Sequence, residues 1–181
     1  KILMNSFKKS DLRGFSLWPY TEFVQTYGLE HPDLSMEALA LLTQKFTSEF
    51  AVRPFLVKDP ASIYKKLLKW SEHSNTHIRR WTSEGTRPRL PWGLRLHDAV
   101  QDPSSGLKIL EKLKYDEELY VRKSVANHLN DIAKDHPDLV VKTLKNWQKT
   151  CPAKHQSKID WIQRQALRSL IKAAYGPALH L

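Results

Sequence analysis

Four prolines divide much of this 181-residue chain into segments of one design. They are Pro32 in His-Pro-Asp-Leu, Pro60 in Asp-Pro-Ala-Ser, Pro103 in Asp-Pro-Ser-Ser and Pro137 in His-Pro-Asp-Leu. Proline suits the first position of a helix, because the amide hydrogen it lacks would have no helical partner there. Asp59 and Asp102 stand just before two of them and supply a capping oxygen. Seven residues after each proline comes Leu39, Leu67, Leu110 or Leu144, and ten after comes Leu42, Trp70, Leu113 or Trp147. The same helix is therefore predicted four times, each with the same two core contacts.

A second helix is predicted after each of the last three. Ile78-Arg79-Arg80, Val121-Arg122-Lys123 and Ile162-Gln163-Arg164 begin alike, with anchors 43 and 41 residues apart. That is the period of HEAT and armadillo helix pairs. A helix over about 117–134 places Val121, Val125, Leu129 and Ile132 on one stripe and Lys123, Asn127, Asp131 and Lys134 on the other side. The last helix buries Ile159, Ile162, Ala166 and Leu170, shows Trp161, Arg164, Gln165, Arg168 and Lys172 outward, and stops near Gly176-Pro177. No strand alternation of useful length is present. The fold expected over residues 1–181 is a single all-α domain, a HEAT-like α-solenoid of about four antiparallel helix pairs. The second helices of such a stack line a concave face, and their polar sides here are basic.

Composition agrees with a packed domain that meets a polyanion. Apolar residues make up 41% of the chain, with six tryptophans, which is enough to build a core and argues against disorder. No apolar run approaches the ~20 residues of a membrane span, and no signal-peptide pattern opens the chain. One cysteine, Cys151, excludes an intrachain disulfide and fits a reducing compartment. The net charge of +10 is uneven: residues 1–60 hold seven basic and seven acidic side chains, so the excess lies in 61–181. A focused positive field implies nucleic acid before membrane; general solubility is the ordinary alternative.

Several chemistries are excluded or weak. His73 and His77 are four apart, but Glu72 precedes both, so the zinc-binding H-E-x-x-H pattern is absent. Cys151 stands beside Pro152 without a nucleophile signature. Neither phosphate-binding glycine loop occurs, and glycine numbers only six. No cofactor or metal is expected.

The densest chemical signal runs Ser83-Glu84-Gly85-Thr86-Arg87-Pro88-Arg89-Leu90-Pro91-Trp92. Between His73 and His97, Glu84 is the one acidic residue among Arg79, Arg80, Arg87, Arg89 and Arg95, with Trp81 and Trp92 beside it. Arginines so dense neutralise phosphates, and an indole face suits a flat base or a cation. A carboxylate there would be repelled by a polyanion and so needs a reason. Glu49 and Asp131 are the other acids of interest on this basic ground. Each has an ordinary structural alternative: Glu84 in an internal salt bridge that orders its loop, Glu49 at a helix end facing solvent, Asp131 paired with Lys134 along its own helix.

Three blocks carry a family resemblance. They are Thr47-Ser48-Glu49-Phe50-Ala51-Val52-Arg53-Pro54-Phe55-Leu56, the stretch from Ile78-Arg79-Arg80 through Trp92, and Val121-Arg122-Lys123-Ser124-Val125-Ala126-Asn127-His128-Leu129-Asn130-Asp131. With them, from about residue 35 to the end, the chain resembles the AlkC-type branch of the DNA alkylation repair family, the HEAT-like alkylpurine DNA glycosylases. Chains of that family usually carry further helices before the first block, so the start at Lys1 is expected to be a truncation. Some members add a C-terminal immunoglobulin-like domain, which this sequence does not include.

The resemblance implies a monofunctional glycosylase that removes small cationic alkylated bases, of the 3-methyladenine or 3-methylcytosine type, from double-stranded DNA. Glu49, Glu84 and Asp131 match acidic positions around the lesion, Arg80 and Arg87 basic ones, and Trp92 an aromatic one. Trp81 is expected close by, and Arg79, Arg122, Lys123, Arg164 and Arg168 on the DNA-holding face. A cytoplasmic, bacterial monomer is the corresponding expectation. The competing reading is a non-catalytic HEAT scaffold that binds nucleic acid or protein, which explains the repeats but not Glu84 amid arginines.

Overall fold

A computed structural model describes residues 2–9 and 11–181. Its helices in chain order are α1 (Ile2–Lys9), α2 (Trp18–Tyr27), α3 (Pro32–Leu42), α4 (Arg53–Lys58), α5 (Pro60–Trp70), α6 (Thr76–Gly85), α7 (His97–Gln101), α8 (Ser104–Leu113), α9 (Leu119–Ile132), α10 (Pro137–Thr150), α11 (Gln156–Ala166), α12 (Arg168–Lys172) and α13 (Gly176–Leu179). Among the described residues no strand occurs.

Pro32, Pro60 and Pro137 each open their helix, as expected. Asp59 caps α5 by accepting from the Ser62 amide at 3.2 Å. Pro103 differs, because it sits in the cap position and α8 starts one residue later, at Ser104. Asp102 has already turned the chain there, accepting from the Ser104 amide at 2.9 Å and its hydroxyl at 3.0 Å. Leu39, Leu67, Leu110 and Leu144 are all fully buried, and so nearly are Leu42, Leu113 and Trp147. Trp70 is half-buried, its ring 5.7 Å from that of Trp81.

Short turns fold α6 back on α5, α9 on α8 and α11 on α10, and α6, α9 and α11 pack side by side in a row. This is a solenoid-like all-α stack. The N-terminal end is less regular: α1 and α2 pack on α3, and the short α4 packs on α5. The C-terminal end also departs from expectation. The final helix divides at Leu167 into α11 and α12. Gly176-Pro177 begins α13 rather than simply ending a helix, since proline is also at home in a first turn.

Two arginines show the repeat at the level of single hydrogen bonds. Arg79 Nη1 donates to the carbonyls of His73 and Ser74, at 3.0 and 2.8 Å. Arg122 Nη1 donates to those of Asp116 and Glu117, at 2.6 and 2.9 Å. Each guanidinium thus reaches back to the same two places in its own inter-helix turn. Arg79 also grips Asp116 through Nε at 2.6 Å and Nη2 at 3.1 Å, which staples one turn to the next.

The core holds a histidine without charge. His128 lies against Gly106 of α8, where even a methyl group would come within 3.0 Å of its Nε2. Its Nδ1–H donates to the Ser83 carbonyl at 3.0 Å. Burial, then the Arg87 charge, push its pKa down to about 3.

Two outcomes follow for stability. An unfolded histidine titrates near 6.5, so between pH 6.5 and about 3 the unfolded chain binds a proton that folded His128 refuses. Its contribution is complete above pH 6.5 and falls by about 1.4 kcal/mol per pH unit below it. His128→Asn keeps a donor for Ser83, so thermal unfolding between pH 6.5 and 5 should show a shallower pH slope than the parent, and an unchanged slope would contradict the assignment. Arg122→Ala removes two charge-assisted bonds and should cost about 1–3 kcal/mol in denaturant unfolding.

Candidate functional site

The C-terminal end of α6 meets one face of α9. Ser124, His128 and Asp131 are spaced by four and three along α9 and therefore share a face; all three reach the segment 83–87. The Ser124 hydroxyl bridges Glu84 Oε2 at 2.6 Å and Ser83 Oγ at 2.9 Å. His128 takes the Ser83 carbonyl. Asp131 Oδ2 accepts from Arg87 Nε at 2.8 Å.

The three expected carboxylates are brought together through two arginines. Arg87 Nη1 donates to Glu84 Oε1 at 2.6 Å, so one guanidinium joins Glu84 to Asp131. Arg80 lies with Nη2 3.6 Å from Glu84 Oε1. Its Nη1 bonds Glu49 Oε2 and, at 3.0 Å, the Thr47 hydroxyl. Lys134 closes the far end on Asp131 Oδ1 at 3.1 Å. The result is an alternating row, Glu49–Arg80–Glu84–Arg87–Asp131–Lys134, running from the turn before α4 across α6 to the end of α9. Glu84, Arg87 and Asp131 are buried, and Glu49 and Arg80 are mostly so.

The two flanking carboxylates keep Arg87 charged. Burial pulls the Arg87 guanidinium down, but Glu84 and Asp131 more than offset it, and Arg87 titrates above the ordinary arginine range. Arg53, wholly buried beneath the row, has its pKa lowered to about 10, chiefly by burial. The structural alternatives for two of the acids are also present: Glu84 is salt-bridged and Asp131 meets Lys134. Glu49 does not face solvent from a helix end; it is gripped by Arg80 and Thr47.

The remaining expected residues part company. Trp81 is fully buried against Trp70 and cannot wall a surface site; its place on the buried side of a short helix overrides its nearness in sequence to the arginines. Trp92 is the opposite, with 96% of its surface exposed. It stands at φ 62°, a left-handed conformation that costs a bulky residue roughly 1–2 kcal/mol. Arg79 and Arg122 spend their guanidinium groups on turn carbonyls, contrary to the expectation of an outward basic face. Lys123 and Arg164 are exposed. Arg168 bonds Asn127 Oδ1 at 3.1 Å.

Sequence reasoning missed Ser124, Thr47, Tyr120 and Arg53. Ser124 was detectable, since it lies two helical turns before Asp131. Tyr120, whose ring lies 5.3 Å beneath the Arg80 guanidinium, and Arg53 have no such local signal. Among the described residues no group of three or more His, Cys, Asp or Glu side chains could hold a metal ion, and no helix is long and apolar enough to cross a membrane.

Comparison with known proteins places this geometry. Residues 46–174 match the family described as DNA alkylation repair enzyme. An uncharacterized protein of Bacillus subtilis, YhaZ, is 50% identical over 169 residues, covering 93% of this chain and 46% of that protein. The Pseudomonas fluorescens alkylpurine DNA glycosylase AlkC, solved bound to DNA containing an abasic site analog, superposes with a TM-score of 0.82 at 44% identity over 88% of this chain and 43% of its own. The chain thus spans about half the length of these relatives. The match encloses the whole charged row, from Glu49 to Lys134, and on it the chain belongs to the DNA alkylation repair enzyme family.

Proposed function

We propose that this chain carries the base-releasing site of a DNA glycosylase. It hydrolyses the N-glycosidic bond of small cationic N-alkylated bases, of the 3-methyladenine or 3-methylcytosine type, in duplex DNA. The observation that carries this reading is the pairing of three carboxylates through Arg80 and Arg87 on a chain with a net charge of +10. The solved relative bound to abasic-site DNA supports it.

N-alkylation gives the base a formal positive charge, so it leaves as a neutral molecule and needs no general acid. The sugar left behind has oxocarbenium character, as in glycoside hydrolysis. A carboxylate held by fixed partners stabilises that cation without reorganising, and it orients the attacking water. Glu84 and Asp131 are the residues for this role. Asp131 is the better placed of the two: its outer partner Lys134 is half-exposed and displaceable, whereas both Glu84 oxygens are engaged by buried or mostly buried groups. Glu49 shapes the potential around the base. Trp92, held outward, offers an indole face to a base or a cation.

DNA lies along the side lined by the second helices in this reading. Those helices pack on one another more extensively than the first helices do, as a stack that curves toward them requires. Lys123, Arg164 and Arg168 on α9, α11 and α12 supply phosphate contacts there, with Arg80 and Arg87 nearer the lesion. Phosphate contacts hold the duplex without reading its sequence.

Two measurements test the proposal. Glu84→Gln and Asp131→Asn keep shape and remove charge. Release of alkylated bases from methylated duplex DNA should fall about 10²–10⁴-fold, the scale of a lost catalytic carboxylate. Affinity for undamaged DNA should hold or tighten, because a charge repelled by phosphate is gone. Wild-type release rates in folded variants would make the carboxylates structural. Separately, binding through about three phosphates should weaken roughly 40-fold between about 50 and 200 mM salt. A salt-insensitive association, or none, would favour a scaffold that binds protein.

A further inference from the structure

The segment that displays Trp92 is held from beneath by one residue outside the charged row. Arg53, the first residue of α4, is 0% exposed. Its Nη1 donates to the Gly85 carbonyl at 2.9 Å, and its Nε bonds the Leu94 carbonyl. Gly85 is the last residue of α6, next to Glu84, and Leu94 is two residues beyond Trp92. One planar guanidinium therefore spans both ends of the loop between them. No carboxylate is bonded to it, and its Nη2 is buried without a partner. A fully buried cation kept with an unsatisfied donor calls for an explanation other than stability.

The loop is shaped to fit this group. A side chain at Gly93 would put its first carbon 3.3 Å from Arg53 Cδ and Nε and 3.1 Å from Leu90 Cδ2, so glycine is what lets the backbone lie down on the arginine. Gly93 N bonds the Leu90 carbonyl at 3.1 Å, and Leu96 N that of Pro88 at 3.3 Å. On the outer side Arg89 grips Asp135 through Nε and Nη2, at 2.7 and 2.6 Å. Leu90 and Leu96 are buried on either side of the exposed Trp92. Thr86 and Arg87 hold the near end of the loop to α6, through the Thr82 carbonyl and Glu84, but both lie before Trp92. Arg53 is the side chain whose two bonds join the helix end that carries Glu84 to the far side of Trp92.

We propose that Arg53 is a positioning residue for base release: it holds Trp92 in its left-handed, outward conformation in fixed register with the Glu84 carboxylate. This rests on the glycosylase reading above, in which both residues act on the lesion. A lysine does not replace it, because its donors all radiate from one nitrogen, whereas Arg53 reaches the two carbonyls from separate Nε and Nη1 atoms held in a rigid plane.

The test compares Arg53→Lys, Trp92→Ala and the double variant in the full chain. Hydrogen exchange at the Gly93 and Leu96 amides should quicken at least about tenfold in Arg53→Lys while α9 amides keep their protection. Release of bases from methylated duplex DNA should fall about 10–100-fold, and the double variant should be no slower than Trp92→Ala alone, since the two losses are one loss. Unchanged loop exchange, equal loss of protection throughout the chain, or additive rate losses would each overturn the proposal. If Arg53→Lys does not fold, Gly93→Ala crowds an intact arginine by a few tenths of an ångström and should quicken the same exchange with the same non-additivity. If Trp92→Ala itself releases bases and binds a tetrahydrofuran-containing abasic duplex as the parent does, the role of Trp92 on DNA fails. The exchange measurement then still decides whether Arg53 holds the loop.

Discussion

The Arg87 guanidinium, buried between Glu84 and Asp131, is the contact on which the geometry of the site depends. Removing one partner of such a buried pair costs about 3–5 kcal/mol, because the other is left charged and unpaired. Here the arginine has a carboxylate on each side, from different helix pairs, and each carboxylate has a further partner: Ser124 for Glu84, Lys134 for Asp131. The distance between the two acids is therefore set by the packing of α6 on α9. Without Arg87, two carboxylates drawn toward the same buried place would repel each other. Any chemistry that needs both needs the arginine first.

The repeat frame was legible because it rests on local physics. A proline at a helix start and leucines seven and ten residues on are decided within one helix, and Leu39, Leu67, Leu110 and Leu144 are indeed all core. Pro103 and Gly176-Pro177 show the limit of that reading. Asp102 completes its turn a residue early, and proline ends one helix and begins another by the same property. The grouping of Glu49, Glu84 and Asp131 was legible only in part, since charge contrast marks the acids but says nothing of which arginines join them.

Residues decided by tertiary contact were not legible. Trp81 and Trp92 are alike in composition and in nearness to arginine, yet one is wholly buried and the other almost wholly exposed. Helix phase sets the first, whereas the second stands on a loop whose bonds to the buried Arg53 no local pattern announces. Arg79 and Arg122 look like DNA-facing cations because charge counts as surface by default. Their carbonyl partners lie five and six residues back, where no helical or strand period would look. These two arginines are spent on the backbone of their own turns.

The repeat supplies its own comparison for the acidic site. With anchors 43 and 41 residues apart, the position of Glu84 in α6 corresponds to Asn127 in α9 and Arg168 in α12. One place in the stack thus carries a negative, a neutral and a positive side chain. All three positions remain in use between neighbouring helix pairs: Glu84 takes Ser124 from the next pair, and Asn127 accepts from Arg168. The position of Arg87 likewise corresponds to Asn130, which bonds the Ala166 carbonyl of the next pair at 2.8 Å. An amide therefore suffices to join successive pairs of this scaffold. Where the chain instead buries a carboxylate and a guanidinium, it accepts a desolvation cost that joining the helix pairs does not require.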